Sequence, residues 1–317
     1  MKSWLVVTVL SLKLISASLP AHAMPPTELV YELKQSVVKI FVVDKFGNQG
    51  VGSGIVVAPD YVATNCHVIA NAKGMHVIKY GTSYAPVGLK ADWKQDLCLL
   101  RFENLDAPAV KLASSKHLKY AQSVFAIGFP NNVMMPMTSF GEVEALYPMD
   151  DGYIIRASAT FRMGSSGGPI FDDTGALIGL TTLKSPGKNA YYYSIPSDWI
   201  IPLMQQAEVK VATQEESPFW DVPEDQRPFF MLVVEPRQSE NWEKLESISQ
   251  TWVSQQPESV EAWYLLGLAQ KQQGKIDEAM ANLERSLRIE AVHPEAEYSL
   301  AQIKKHMADE RLAFNRY

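Results

Sequence analysis

The sequence predicts two domains of different class, an all-β domain of the sandwich or barrel kind followed by a small all-α domain. Three observations carry this. From Ser36 onward, short β-branched and apolar runs are broken by Gly, Pro, Asn and Asp. Between 209 and 240, four prolines interrupt the pattern, and beyond them the apolar spacing turns helical. A chain of 317 residues is long for one core, and 47% hydrophobic with 20% charged residues is ordinary globular composition, which excludes disorder and fibre.

The first segment reads as a targeting signal. Met1-Lys2-Ser3, the apolar run Trp4 to Leu12 and then Ala21-His22-Ala23 supply the basic, apolar and small-residue regions of a secretory leader, with cleavage expected after Ala23. A membrane anchor is the competing reading, but the run is short for a span and Lys13 interrupts it. No later segment is long and apolar enough to cross a bilayer, so the mature protein is expected to be secreted or periplasmic. Loss of Lys2 and Lys13 takes the formal charge from −6 to −8, and an acidic chain is a poor nucleic-acid partner.

The β domain is expected over residues 24–208. Its runs are Val37 to Val42, Gly54 to Val57, Leu97 to Phe102, Val124 to Gly128, Ala176 to Leu180 and Tyr191 to Ile195, closing in a helix opened by Pro196-Ser197-Asp198. Residues 209–240, with Pro218, Pro223, Pro228 and Pro236, read as a linker of little regular structure. Residues 241–317 read as helices. Trp263, Leu266, Gly267, Gly274, Ala279, Leu283, Ser286 and Leu287 fall at the spacings of a tetratricopeptide unit, and Leu300-Ala301 repeat the Leu266-Gly267 pair about 34 residues later. A helix with Trp242, Leu245, Ile248 and Trp252 on one face, closed by Pro257, precedes them. Gly267 and Ala279 leave room for close helix approach. An unrelated amphipathic hairpin is the alternative, because isolated repeats cannot bury their faces alone.

Chemistry is concentrated in Gly164-Ser165-Ser166-Gly167-Gly168-Pro169, which looks like the loop around a nucleophilic serine. A serine hydroxyl needs an imidazole to take its proton, and the imidazole needs a carboxylate to orient it. His67 follows the apolar stretch Tyr61 to Thr64, and Asp96 opens the strand Leu97 to Leu100, where an unpaired carboxylate would be costly. Backbone N–H groups of Gly164 and Ser166 would form the oxyanion pocket. His76, His117, His293 and His306 lack such a setting and read as surface or linker residues. No metal-ligand cluster, phosphate loop or nucleotide fingerprint appears, so no cofactor is implied.

Together with Gly50 to Val57 and Ser194 to Asp198, these segments resemble, over about residues 28–205, the protease domain of the HtrA/Deg family of trypsin-like serine endopeptidases. The resemblance implies a chymotrypsin-like double β-barrel, two barrels of six strands with the triad in the cleft between them. It also implies nucleophile Ser166, general base His67, orienting Asp96 and oxyanion donors Gly164 and Ser166. By the same alignment Thr181, Thr182, Leu183 and Tyr191 border the substrate pocket, with Thr160 and Phe161 toward its base. No acid stands there, so small or medium aliphatic side chains are expected before the cleaved bond. The tyrosine run Tyr191 to Tyr193 reads equally as barrel packing.

Three features depart from the family. Helical repeats stand where PDZ domains are usual, implying a protein partner or substrate held at the repeats. Ser165 replaces the usual Asn or Asp before the nucleophile, and its shorter side chain implies a less firmly held oxyanion loop. Cys66 sits beside His67 where Asn is common. Cys98 shares a strand face with Asp96, so a Cys66–Cys98 bridge is one reading and two buried thiols the other; the thiols are the expectation, because strand geometry cannot be assumed at Cys66. The functional expectation is a serine endopeptidase acting on protein or peptide substrates. Its alternative is a catalytically weak protease-fold scaffold working through its helical repeats.

Overall fold

The computed structural model describes residues 24–79, 81–187, 189–209 and 216–314. The leader expected at 1–23 lies outside the described residues. An N-terminal helix, α1 (Thr27–Lys34), was not foreseen from sequence; it buries Val30 against the core.

The first sheet is built from β1 (Val37–Val43), β2 (Gln49–Ala58), β3 (Tyr61–Thr64), β4 (Gly74–Lys79), β5 (Thr82–Tyr84), β6 (Gly88–Asp92) and β7 (Leu97–Arg101), with the single turn α2 (Cys66–Ile69) after β3. Its order is β5-β4-β1-β2-β3-β7-β6, so the barrel of six strands expected here is a seven-stranded antiparallel sheet. The extra strand exists because Gly81 adopts φ +79° and reverses the chain, which pairs Thr82 with Lys79. One buried cluster, including Val38, Ile40, Val56, Val62, Leu100 and Phe102, fills the inner face.

The second half holds β8 (Ser123–Gly128), β9 (Met137–Met149), β10 (Gly152–Ala157), β11 (Pro169–Asp172), β12 (Leu177–Lys184) and β13 (Tyr192–Pro196), which close into a six-stranded barrel. A 3₁₀ turn at Ser197–Trp199 leads into α3 (Ile200–Met204). Asp198 accepts from the Ser115 N–H and is bonded by the hydroxyls of Ser114 and Ser115, tying this end of the barrel to the crossing segment.

The proline-rich stretch is more regular than its sequence suggests. It forms α4 (Phe229–Leu232) and α5 (Val234–Gln238), with Pro228 immediately before α4 and Pro236 in the first turn of α5. In those positions proline lacks only an N–H that a helix start leaves unpaired. Then come α6 (Trp242–Gln255), α7 (Val260–Gln272), α8 (Ile276–Ile289) and α9 (Pro294–Phe314). Asn241 and Ser259 cap α6 and α7 through their side chains. A Cβ on Gly267 would lie 2.8 Å from Leu283 Cγ and 3.0 Å from the Ala279 carbonyl, so glycine is what lets α7 and α8 touch.

The helical region is not a separate body. The largest buried cluster runs from Phe125, Tyr147, Phe171 and Tyr193 of the barrel through Phe230 to Trp252, Tyr264 and Leu283 of the helices. Tyr147 stacks on Phe230 at 4.7 Å, and Trp252 stacks on Phe229 at 5.7 Å.

Candidate active site

His67 and Asp96 meet because β3 pairs with β7 in a register that sets Ala63 against Leu99 and Thr64 against Cys98. His67 is the second residue of α2, directly beyond β3. Asp96 lies directly before β7 at φ +57°, a conformation that Asp tolerates better than most side chains, and its carbonyl accepts from Cys66 N (3.2 Å) and Asn65 Nδ2 (3.0 Å). The side chains then lock. His67 N donates to Asp96 Oδ1 at 2.8 Å, and His67 Nδ1 lies 2.6 Å from Asp96 Oδ2. A carboxylate only accepts, so Nδ1 carries the ring proton and Nε2 is left as an acceptor. Asp96 is fully buried and His67 only partly so.

The expectation of two buried thiols is corrected: Cys66 and Cys98 form a disulfide, with Cα atoms 4.9 Å apart. Cys66 is not on a strand. It begins α2, and that turn brings its side chain back over the β3–β7 pair. The bridge therefore joins the two segments that carry His67 and Asp96, and it was undecidable from spacing because the turn after β3 decides it.

Ser166 is partly exposed on the loop before β11. The next residue, Gly167, has φ +79° and packs so closely that a Cβ would lie 2.4 Å from Ser53 O and 2.9 Å from Asn65 N. The serine loop thus seats directly beside the His67 turn. Ser53, fully buried in β2, organises it: its N–H donates to Ser166 O (2.8 Å), its hydroxyl donates to Gly164 O (2.8 Å), and that hydroxyl accepts from Phe129 N (3.0 Å). Thr181 Oγ1 donates to Ser165 O at 2.8 Å. Ser165 is held through its backbone, its N–H donating to Arg162 O at 2.9 Å.

The same loop fixes two amides. Met163 O accepts from Asn131 N at 2.7 Å, and because C=O and N–H of one peptide point opposite ways, Gly164 N–H is turned to the other side. Among the described residues, neither Gly164 N nor Ser166 N has an internal acceptor. Asn131 and Asn132 both have positive φ, 52° and 63°, and the buried Lys39 pins them from β1, donating to Asn132 O and Val133 O at 3.0 Å each. Burial holds the Lys39 ammonium below its ordinary range.

A cavity of about 420 Å³ opens beside this loop, lined in part by Gly128, Thr160, Phe161, Arg162, Ser165 and Thr181, with no acid on its wall. Of the residues expected to border a substrate pocket, Thr181 lines this cavity. Thr182 is instead buried and accepts from Asn65 Nδ2 at 3.0 Å. Leu183 packs on the main core, and Tyr191 lies between the guanidinium groups of Arg156 (5.0 Å) and Arg237 (5.5 Å). Among the described residues no group of three or more His, Cys, Asp or Glu could hold a metal ion.

Sequence reasoning missed two residues here. Ser53 lay inside a quoted motif without a role. Trp220, in the proline-rich stretch, donates from Nε1 to Asp96 Oδ2 at 3.0 Å and meets the His67 ring edge-on at 5.4 Å.

Comparison with known proteins gives the same picture. The description "Trypsin-like peptidase domain" matches residues 52–180, and "Tetratricopeptide repeat" matches residues 260–293. The β domain is therefore similar to trypsin-like peptidases and part of the helical region to a tetratricopeptide repeat. It is 32% identical over 193 residues to the "Probable periplasmic serine endoprotease DegP-like" of Marinomonas sp. (strain MWYL1), covering 55% of this chain and 41% of that protein. It is 32% identical over 181 residues to "Serine protease HTRA1B" of Danio rerio, covering 52% and 37%. The chain thus spans about two-fifths of the length of these curated relatives. The crystal structure of a protease from M. tuberculosis in its active form superposes with a TM-score of 0.54 at 19% identity, covering 67% of this chain and all of that one, which speaks to the fold alone.

Proposed function

We propose that this chain, which carries a trypsin-like peptidase domain and a tetratricopeptide repeat, is a secreted or periplasmic serine endopeptidase with Ser166 as nucleophile, His67 as general base and Asp96 as the orienting carboxylate. One observation carries the reading. The His67 Nδ1–Asp96 Oδ2 contact of 2.6 Å leaves Nε2 as the acceptor on a turn against which the serine loop packs at Gly167, and among the described residues the Gly164 and Ser166 amides of that loop have no internal acceptor.

The chemistry follows from that geometry. Nε2 takes the Ser166 hydroxyl proton as Oγ attacks the substrate carbonyl carbon, and the charge that develops on the carbonyl oxygen is met by the two amides. Each such donor lowers the barrier by ~2.7–4 kcal/mol. The imidazolium, held by Asp96, returns its proton to the leaving amine nitrogen, leaving an acyl ester on Ser166. Water deprotonated by Nε2 then attacks that ester, and the proton passes back to Ser166. The acid-free cavity favours small or medium aliphatic side chains before the cleaved bond. The helical repeats serve to hold a protein partner or substrate.

An oxidising compartment is supported by the Cys66–Cys98 bridge and by the periplasmic name of a relative. Among the described residues no helix is long and apolar enough to cross a membrane. The scaffold alternative drew on Ser165, and the backbone bonds of Gly164, Ser165 and Ser166 support the peptidase reading over it. The purified chain is expected to cleave an unfolded polypeptide and to label with a fluorophosphonate. Ser166→Ala should abolish both; cleavage by that variant at the wild-type rate would overturn the assignment.

A further inference from the structure

The carboxylate of Asp96 has more partners than His67 alone. It is fully buried and accepts three N–H bonds: His67 N on Oδ1, and His67 Nδ1 and Trp220 Nε1 both on Oδ2. Trp220 comes from a stretch 124 residues further along the chain, and neighbouring contacts hold it there. Phe219 N donates to the carbonyl of Lys94, in the turn that leads into Asp96, at 2.9 Å. Pro218 and Phe219 are buried, and Phe219 packs on Phe230 of α4, which stacks on Tyr147 of the barrel. The segment before the helices is thus a strap tied to the β6–β7 turn and to α4 through Phe219, the residue next to the indole.

We infer that Trp220 is a positioning residue of the catalytic site: its indole N–H fixes the Asp96 carboxylate, and through it the ring of His67, so that the strap leading to the helical repeats completes the catalytic unit. The inference rests on the serine endopeptidase reading above. The physical reason is that Oδ2 is the oxygen shared by the two side-chain donors. A carboxylate with both oxygens bonded cannot turn about its Cβ–Cγ bond without breaking charge-assisted bonds, which are stronger than neutral ones. Without the indole both oxygens are still bonded, but by His67 alone, so no side-chain donor from outside the His67 turn holds the carboxylate and it shifts more freely together with the ring. Ring orientation matters most when Nε2 must face Ser166 during proton transfer, so the loss falls on turnover more than on substrate binding. The edge-on contact of indole and imidazole at 5.4 Å restricts the same motion sterically.

The test separates the N–H from the ring. Trp220→Phe in the full chain keeps an aromatic ring beside His67 and removes the donor together with part of the indole surface. The expected result is a kcat about tenfold lower with KM within about twofold of wild type and an unchanged melting temperature, tenfold being ~1.4 kcal/mol of barrier. A purely packing role predicts wild-type kcat for this variant, and that result overturns the inference. A rise in kcat overturns it too, because the strap would then be a cover over the cleft. Should Trp220→Phe fold poorly, a spectroscopic measurement on the full chain decides. The indole N–H resonance assigned to Trp220 should be among the most shifted of the tryptophan indoles in Asp96→Asn, and an unmoved resonance refutes the bond. Ser166→Ala is the control that keeps the two readings apart. An inert wild-type chain, or an active Ser166→Ala, defeats the peptidase assignment and with it this inference. An active wild type, an inert Ser166→Ala and a fully active Trp220→Phe defeat this inference alone.

Discussion

Replacing both Cys66 and Cys98 by alanine should cost the protein much of its stability and little of its turnover. The bridge spans a sequence separation of 32 residues. On the loop-entropy account, releasing a loop of that length from the unfolded chain is worth about 3.7 kcal/mol at 25 °C. For a chain of this size that corresponds to a fall in melting temperature of roughly 6 °C. Turnover should change by less than about threefold, because the His67 N–Asp96 Oδ1 and Cys66 N–Asp96 O bonds do not involve sulfur and hold the two segments together in the folded state. The assay is urea unfolding of the oxidised wild type and the double variant, read by tryptophan fluorescence, alongside kcat on an unfolded substrate. Both sulfurs are fully buried, so a reductant should act on the wild type only as fast as the protein opens. A stability difference below about 1 kcal/mol would refute the reasoning, because it would mean that the β3–β7 pairing already restrains this loop in the unfolded chain.

Ser53→Ala strips Gly164 O of its donor and Phe129 N–H of its acceptor, both in buried surroundings. It should lower stability by ~2–3 kcal/mol on the cost of unpaired buried groups and slow fluorophosphonate labelling of Ser166 at least tenfold. Acid should loosen the register of the helices on the barrel. Burial works to raise the Glu295 carboxyl, but the guanidinium groups of Arg156 and Arg237 outweigh it and hold the group down to about 2. With the folded value below the unfolded one, its contribution is complete above about pH 4.5 and is lost as the pH falls toward about 2. Near-ultraviolet circular dichroism of the aromatic cluster should report the loss, and Glu295→Gln should flatten the pH dependence over that window.

What the sequence disclosed and what it withheld divide by the range of the interactions. The strands at Val37, Leu97 and Val124, and the helices around Leu245, Leu266 and Leu283, were legible because each is set by the spacing of its own apolar residues. The serine loop was legible because Gly164, Gly167 and Gly168 mark a backbone path that few sequences need. The disulfide, the seventh strand and the proline-led helices were not, since each turns on one local backbone choice: the turn at Cys66, the left-handed Gly81, the tolerance of a helix start for Pro228 and Pro236. Trp220 was the least legible. Nothing in Pro218-Phe219-Trp220-Asp221 marks a donor to a carboxylate 124 residues earlier; only the fold brings them together. Tyr191 shows the converse, since its place by alignment near a pocket gave way to a contact with Arg237, a residue from outside the barrel.

The junction between barrel and helices shows how the repeats can contribute. Arg156 of β10 is buried and pairs with Glu144 of β9 and Glu295 of α9 at 3.3 and 2.8 Å, while Arg237 reaches the other oxygen of Glu295 at 2.7 Å. Nearby, His293 and Glu261, both buried, meet at 3.1 Å under the ring of Tyr120. Such ion pairs give back in Coulomb attraction roughly what their dehydration costs, so they are weak grounds for adhesion. The adhesion comes from the apolar surface of Tyr147, Tyr193, Phe230 and Trp252, which lies continuous with the barrel core. The charges do something different. Sliding α9 by one turn would leave Arg156 buried without Glu295, which is far more costly than losing apolar contact, so the pairs fix where the helices sit. A helical domain held at one register, with the strap before it reaching Asp96, belongs on the proposed function to the catalytic unit. On that reading, a partner held by the repeats is recognised on surfaces that face away from the barrel.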